Sequence, residues 1–275
     1  MGRISNGWRL AKASWRVLAR DRELIAIPIV MGIGAVVAFA IVGVPAGLLL
    51  GGSSATQWAG YLLLAVAAVL ATWVTVIGQA AVMSGAAQRM DGHDPTLGTA
   101  FGGARGRSGR LLEWAVLATV VAIVVDFIRQ RFGVAGQLIA SLGNMAFSVL
   151  SFLALPVIVF EDVGAIDGFK RSAQLLRGTW GEQLTFTFGM GLIGLVGALP
   201  GVGLIALGVA SGVVAVAAVA VTIGLLWIVL VAAVTSALSA VFKVALYRYA
   251  RHEAVDPEFR PSDLTNAFTP RAGRR

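Results

Sequence analysis

The chain has 275 residues, 57% of them hydrophobic and only 13% charged, with a mean hydropathy of +0.83. A soluble domain carries about 25% charged residues, so this composition calls for several membrane spans rather than one large water-soluble core. The net charge of +8 comes with no stacking loop, recognition helix or zinc spacing, which excludes nucleic acid as the natural partner, and the lack of cysteine removes disulfides and thiolate chemistry.

Residues 1–23 carry six cations, Arg3, Arg9, Lys12, Arg16, Arg20 and Arg22. Trp8, Ala11, Trp15 and Leu18 recur at helical spacing, so an amphipathic interfacial helix is predicted over about 4–22. Arg9, Lys12 and Arg16 lie on its polar side, placed to meet anionic lipid headgroups. The first apolar run begins at Leu24 and is too long for the core of a cleavable signal. From Leu24 to Gln88 no residue is charged, and these 65 residues fit two spans, 24–50 and 58–83, turning at Gly51-Gly52-Ser53-Ser54.

Asp94-Pro95-Thr96 opens a second interfacial helix over about 96–110. Phe101, Ala104, Ser108 and Leu111 repeat the spacing of Trp8 to Leu18, although each glycine among residues 102–109 weakens the helix by about 1 kcal/mol. Span 3, about 111–128, holds Glu113 and Asp126, and span 4 covers about 134–160. A third interfacial helix is predicted over 165–180, with Ile166, Phe169, Ala173, Leu176 and Trp180 as its apolar stripe and Lys170, Arg171 and Arg177 as its cations. The 60 uncharged residues between Glu182 and Lys243 give spans 184–207 and 213–242, with a turn near Gly201–Gly212. The last span overruns as a helix through Lys243, Arg248 and Arg251 into a tail over 256–275.

Twenty of the 22 Lys and Arg residues fall on one side of this arrangement, and only Arg129 and Arg131 fall on the other. The positive-inside rule then places both termini in the cytoplasm. The expected fold is all-α: one polytopic membrane domain over 1–255, with six transmembrane helices arranged as three pseudo-repeats of an amphipathic interfacial helix plus a helical hairpin.

The segments G-W-R-L-A-K-A-S-W-R-V-L-A-R-D-R-E-L at the N-terminus and L-P-V-I-V-F-E-D-V-G-A-I-D-G-F-K-R-S-A-Q-L-L-R-G-T-W-G around Pro156–Gly181 resemble an uncharacterised family of prokaryotic six-span membrane proteins. The second segment is also distantly similar to the membrane domain attached to some glycerophosphoryl diester phosphodiesterases. The resemblance implies a multi-pass protein of the prokaryotic plasma (inner) membrane. It carries over no catalytic residue, because the hydrolase of those relatives is a separate soluble unit.

Gly189-Met190-Gly191-Leu192-Ile193-Gly194 matches G-x-G-x-x-G but lies inside an uncharged span, where close helix packing explains it better than a dinucleotide. His93 beside Asp91 and Asp94, and His252 beside Glu253 and Asp256, match no defined metal motif and read as solvated loop residues. The middle hairpin is more informative. Gln137, Ser141, Asn144, Ser148 and Ser151 step by four and three along one face of span 4. Asp126, with Arg129 one turn on, falls at a depth similar to Ser141. Two readings fit: an outward-facing polar cavity formed by Asp126, Arg129, Gln137, Ser141, Asn144 and Ser148, or a structural ion pair with interhelical hydrogen bonds. Glu161 and Asp162 are expected to pair with cations of the third interfacial helix and orient it. The expected function is a non-enzymatic, lipid-interacting scaffold or partner subunit, free of cofactor and metal, that engages anionic lipids and a protein partner or a second copy of itself. The alternative is a transporter or channel for a small polar solute or lipid headgroup.

Overall fold

The computed structural model describes residues 12–19, 22–180, 187–256 and 259, and among these it is helical with no strand. The helices are α1 (12–19), α2 (Arg22–Leu50), α3 (Ser54–Met90), α4 (Leu97–Arg105), α5 (Ser108–Arg131), α6 (Gly133–Leu150), α7 (Ala154–Glu161), α8 (Ala165–Trp180), α9 (Thr187–Ala210) and α10 (Val214–Ala250). By length and composition five stretches can cross a membrane: Glu23–Leu50, Thr56–Met90, Ser108–Arg131, Gly133–Glu161 and Val214–Ala250. A shorter apolar helix covers Gly194–Ala210. The protein is therefore a bundle of membrane-type helices.

A short helix precedes each of three antiparallel pairs, α2–α3, α5–α6 and α9–α10. Glycine sets how closely the helices of a pair approach. A Cβ on Gly201 would lie 2.8 Å from the Gly224 carbonyl oxygen, and one on Gly78 would lie 2.7 Å from the Met31 Cβ. Small residues at such crossings let backbones meet where lipid supplies no hydrophobic drive. Trp227 Nε1 donates to the Gly197 carbonyl at 2.9 Å, a second tie between α9 and α10. The tight turns after α5 and α9 use Gly133 (φ +52) and Gly212 (φ +68), conformations that a Cβ disfavours.

The buried core gathers at one end of the bundle. Leu18, Leu24, Ile27, Met83, Leu111, Leu153, Ile158, Phe242 and Leu246 are the largest fully buried side chains among the described residues, and all lie where α2, α3, α5 and α10 begin or end beside α1 and α7. Toward the other end the helices present Leu48, Trp58, Val134, Leu207 and Val214, all exposed. We call these the packed and the open end. The packed end is the one that carries the short helices.

The structure departs from the sequence reading in several places, among them α3, which runs Ser54–Met90 where a span over 58–83 is expected, and α4, which ends at Arg105 where the second interfacial helix is expected to reach 110. The turn expected within Gly201–Gly212 comes at its far edge, because α9 continues through Pro200 to Ala210. The fourth predicted span is broken, since α6 stops at Leu150 and α7 restarts at Ala154. Pro156 explains part of the break: it lacks an N–H to bond the Phe152 carbonyl and its ring would crowd that group. The freed Leu153 N–H is caught from outside the helix by Ser172 Oγ of α8 at 3.0 Å. On α8 the buried face is Ala165, Gly168, Ser172 and Leu176, with Phe169 half-buried and Ile166 exposed. The predicted stripe is thus rotated, because Ser172 must face the break and Gly168 admits Ile158 of α7. The predicted helix over 4–22 is described only at 12–19 and 22.

Candidate functional site

Directly above the packed end lies a cavity of about 590 Å³. One wall is a single face of α10 that changes character along its length: Ile228, Val231 and Ala232 first, then Thr235, Ser236, Ser239 and Lys243. Steps of three and four residues put all of these on one side, over about 22 Å of helix. Gln79 of α3, Trp114 of α5, Ser148 of α6, the α6–α7 break at Ser151 and Phe152, Leu155 of α7, and Gly194, Leu195 and Ala198 of α9 complete the lining.

The polar groups here are sparsely satisfied by the protein. Thr235 Oγ1 donates to its own helix at Val231 O (2.8 Å), and Ser151 Oγ makes a long 3.5 Å bond to Ser148 O. Among the described residues, Gln79, Ser236, Ser239 and Lys243 have no hydrogen-bond or ion-pair partner. Lys243 Nζ sits 5.3 Å from the centre of the Phe152 ring, a cation–π contact that replaces only part of an ammonium's hydration. A cation with no carboxylate beside it among the described residues, at the polar end of a graded apolar-to-polar wall, is suited to receive an anion.

Beneath the cavity the packed end is tied together by fixed charges. Arg248 donates two 2.7 Å bonds to Asp91, one to each carboxylate oxygen, and a third to Ala87 O at 3.3 Å. That guanidinium holds the Asp91 carboxyl below its ordinary range. Glu161, with 19% of its side chain exposed, accepts from Tyr247 Oη (3.0 Å) and Arg251 Nη1 (2.8 Å) and lies 3.6 Å from Arg171 Nε. Hydrogen bonding to Glu253 and Glu161 raises Arg251 above its usual value. The ends of α3, α7 and α10 and the surface of α8 are thereby joined. Glu113 lies 3.3 Å from Arg110, and its Oε2 accepts the Ala165 N–H at the start of α8 (3.2 Å). Glu23 does the same for the Leu97 N–H at the start of α4 (3.3 Å).

Of the residues singled out from sequence, Ser148 lines the cavity, as does its stripe-mate Ser151. Gln137, Ser141 and Asn144 continue the same face of α6 toward the open end and are exposed. Asp126 pairs with Arg129 at 3.7 Å and accepts from Gln130, both on its own helix and all exposed, and neither Asp126 nor Arg129 lines the cavity. Lys12, Arg16, Lys170 and Arg171 are exposed, with Lys170 3.8 Å from Asp167. Arg9 and the side chain of Arg177 lie outside the described residues. Glu161 forms the expected pair with α8, whereas Asp162 ends α7 in a left-handed conformation, exposed and with no ion pair among the described residues. Among those residues no three His, Asp or Glu side chains gather to hold a metal ion.

Sequence reasoning missed Lys243, taken as a cytoplasmic overrun of the last span. The signal was present: Thr235, Ser239 and Lys243 are four apart, and one helix face therefore turns polar before the helix ends.

Residues 58–256 match the Family of unknown function (DUF6159). No curated protein and no solved structure matches the chain, so the distant likeness to the phosphodiesterase membrane domain has no counterpart among the matches.

Proposed function

Because the chain belongs to a family whose function is unknown, its own geometry has to supply the reading, and we propose that it is a non-enzymatic, lipid-interacting membrane protein whose cavity binds an anionic group at Lys243. The observation that carries this is the lysine itself, held in a cavity of about 590 Å³ with no acidic partner among the described residues. The ring of Phe152 and the hydroxyls of Ser236 and Ser239 suit an oxyanion whose remaining bulk is apolar.

The reading includes six spans in three pseudo-repeats, both termini cytoplasmic, in a prokaryotic plasma membrane. The lopsided Lys and Arg distribution supports the orientation. Two recurrences support the repeat. The chain takes a left-handed residue just past the end of each unit, at Gly92, Asp162 and His252. A glutamate of one unit caps the interfacial helix of the next, Glu23 for α4 and Glu113 for α8. The exposed cations of α1 and α8 engage anionic headgroups at about 1 kcal/mol each, and the exposed apolar flanks leave room for a membrane partner or a second copy.

Purified protein in mild detergent provides the test. Phosphatidylglycerol should raise its melting temperature, phosphatidylcholine should raise it less, and Lys243→Gln should remove the difference while Lys243→Arg retains it. Equal stabilisation of wild type and Lys243→Gln by phosphatidylglycerol would sink the assignment. A second reading, transport of a small anionic solute, is favoured by the α6–α7 break beside the cavity, since interrupted helices line solute sites in transporters. Stabilisation by inorganic phosphate alone, matching that by lipid, would select it.

A further inference from the structure

The cavity is not sealed by its neighbours. α10 meets α7 and α8 at the packed end, yet neither α5 nor α6 packs extensively on α9 or α10. The two hairpins that wall the cavity are thus separated by a slot running toward the open end. Its two sides are chemically unlike. On α6 the face that begins at Ser151 and Ser148 in the cavity continues through Asn144, Ser141 and Gln137, all exposed, over about 21 Å. On α9 the facing stretch is apolar, with Leu195 in the cavity lining and exposed Leu199 and Val202 one and two turns beyond.

We propose that this slot is a lane for phospholipid headgroups between the cavity and the opposite leaflet, giving the protein a transbilayer lipid-exchange activity. The proposal rests on the anionic-lipid reading of Lys243. A hydrocarbon core about 30 Å thick blocks a headgroup because it offers no hydrogen bonds. A row of amide and hydroxyl groups about 21 Å long spans most of that thickness. Lying open to the side, it carries the polar head while the acyl chains stay in lipid against α9. Lys243 is the station at the inner end, where an anionic phosphate is held, and Phe152 at the helix break forms the turn between station and lane. No covalent step is involved and no energy source is required, so exchange runs in both directions.

The experiment is reconstitution of the full chain into vesicles carrying a trace of fluorescently tagged phosphatidylglycerol, with a membrane-impermeant reductant added outside. Protein-free vesicles should lose about half the signal, the share in the outer leaflet, and wild-type proteoliposomes nearly all of it. Replacing Ser141, Asn144 and Ser148 by Ala, Leu and Ala should slow the second phase about tenfold, as removal of one hydrogen-bonding station from the barrier would. Because the chain has no cysteine, Ser141→Cys can also be modified after folding with a bulky thiol reagent. Modification should slow exchange several-fold, whereas the same reagent on Leu142→Cys, exposed on a neighbouring face, should leave it unchanged. No exchange by wild type, or an unchanged rate after Ser141→Cys is modified, overturns the lane. Lys243-dependent stabilisation by phosphatidylglycerol without exchange would leave the binding site standing and remove only the lane.

Discussion

Ser172→Ala isolates the contact that holds the cavity floor. Ser172 is fully buried, and its Oγ accepts the Leu153 N–H that the broken helix leaves without an intrahelical partner. Alanine removes the acceptor and almost nothing else, so the change strands one buried donor. That costs about 1–3 kcal/mol, at the upper end if detergent or lipid keeps water away. Gln174→Ala, two residues on and exposed, should fall within about 0.5 kcal/mol of wild type. Denaturant titration of the two variants in one detergent measures the difference. Amide hydrogen exchange localises it: protection at Leu153 should drop about tenfold or more in Ser172→Ala, with α2 and α3 unchanged. Wild-type stability together with undiminished protection at Leu153 would refute the view that α8 completes the broken helix.

Asp91 gives a pH signature. Its folded pKa lies below the ordinary value of 3.8 because Arg248 bonds the carboxylate. The pair's stabilisation is therefore fully present above that value and is lost as pH falls through the folded pKa. Thermal melts of wild type and Asp91→Asn should accordingly differ at pH 6, by about 1 kcal/mol at most since half of Asp91 is exposed, and converge as pH falls through the folded pKa of Asp91. Gly201→Ala drives a methyl toward the Gly224 carbonyl and should cost about 1–3 kcal/mol, read by the same titration, whereas Gly203→Ala, in open space, should not. Reporter fusions at Ser54, Gly133 and Ala210 should all report from outside the cell, and a cytoplasmic signal from any one would reverse the orientation used for the lane.

The sequence made the helices legible because uncharged runs of 65 and 60 residues leave little choice but paired apolar helices, although in the second run only Val214–Ala250 is, among the described residues, long and apolar enough to span. The short helices α4 and α8 were readable as helices from their spacing, although α4 ends at Arg105 and not near 110. The break at Ser151–Leu153 was not, since no glycine or proline marks those residues and Pro156, the visible clue, falls inside the next helix. Ile166 shows the limit of an apolar stripe: a buried hydroxyl, Ser172, outranked it because a stranded amide needed an acceptor. Glu113, read as an odd charge within a span, is a helix cap whose partner sits 52 residues away, beyond the reach of local patterning. Lys243 was masked by the same rule that predicts the orientation, which counts a cation by side and ignores which way its helix face points.

The caps have a direction in time. Glu23 precedes the helix it caps by 74 residues and Glu113 precedes its own by 52. Synthesis runs from the N-terminus, so each acceptor is made before its donor, and α4 and then α8 follow the carboxylate that caps them. Arg248 and Arg251 come 157 and 90 residues after Asp91 and Glu161, and among the described residues preceding them only Arg171, at 3.6 Å from Glu161, forms an ion pair with either carboxylate. The ties from α10 to α3 and α7 thus wait for the last helix, whereas the two caps do not.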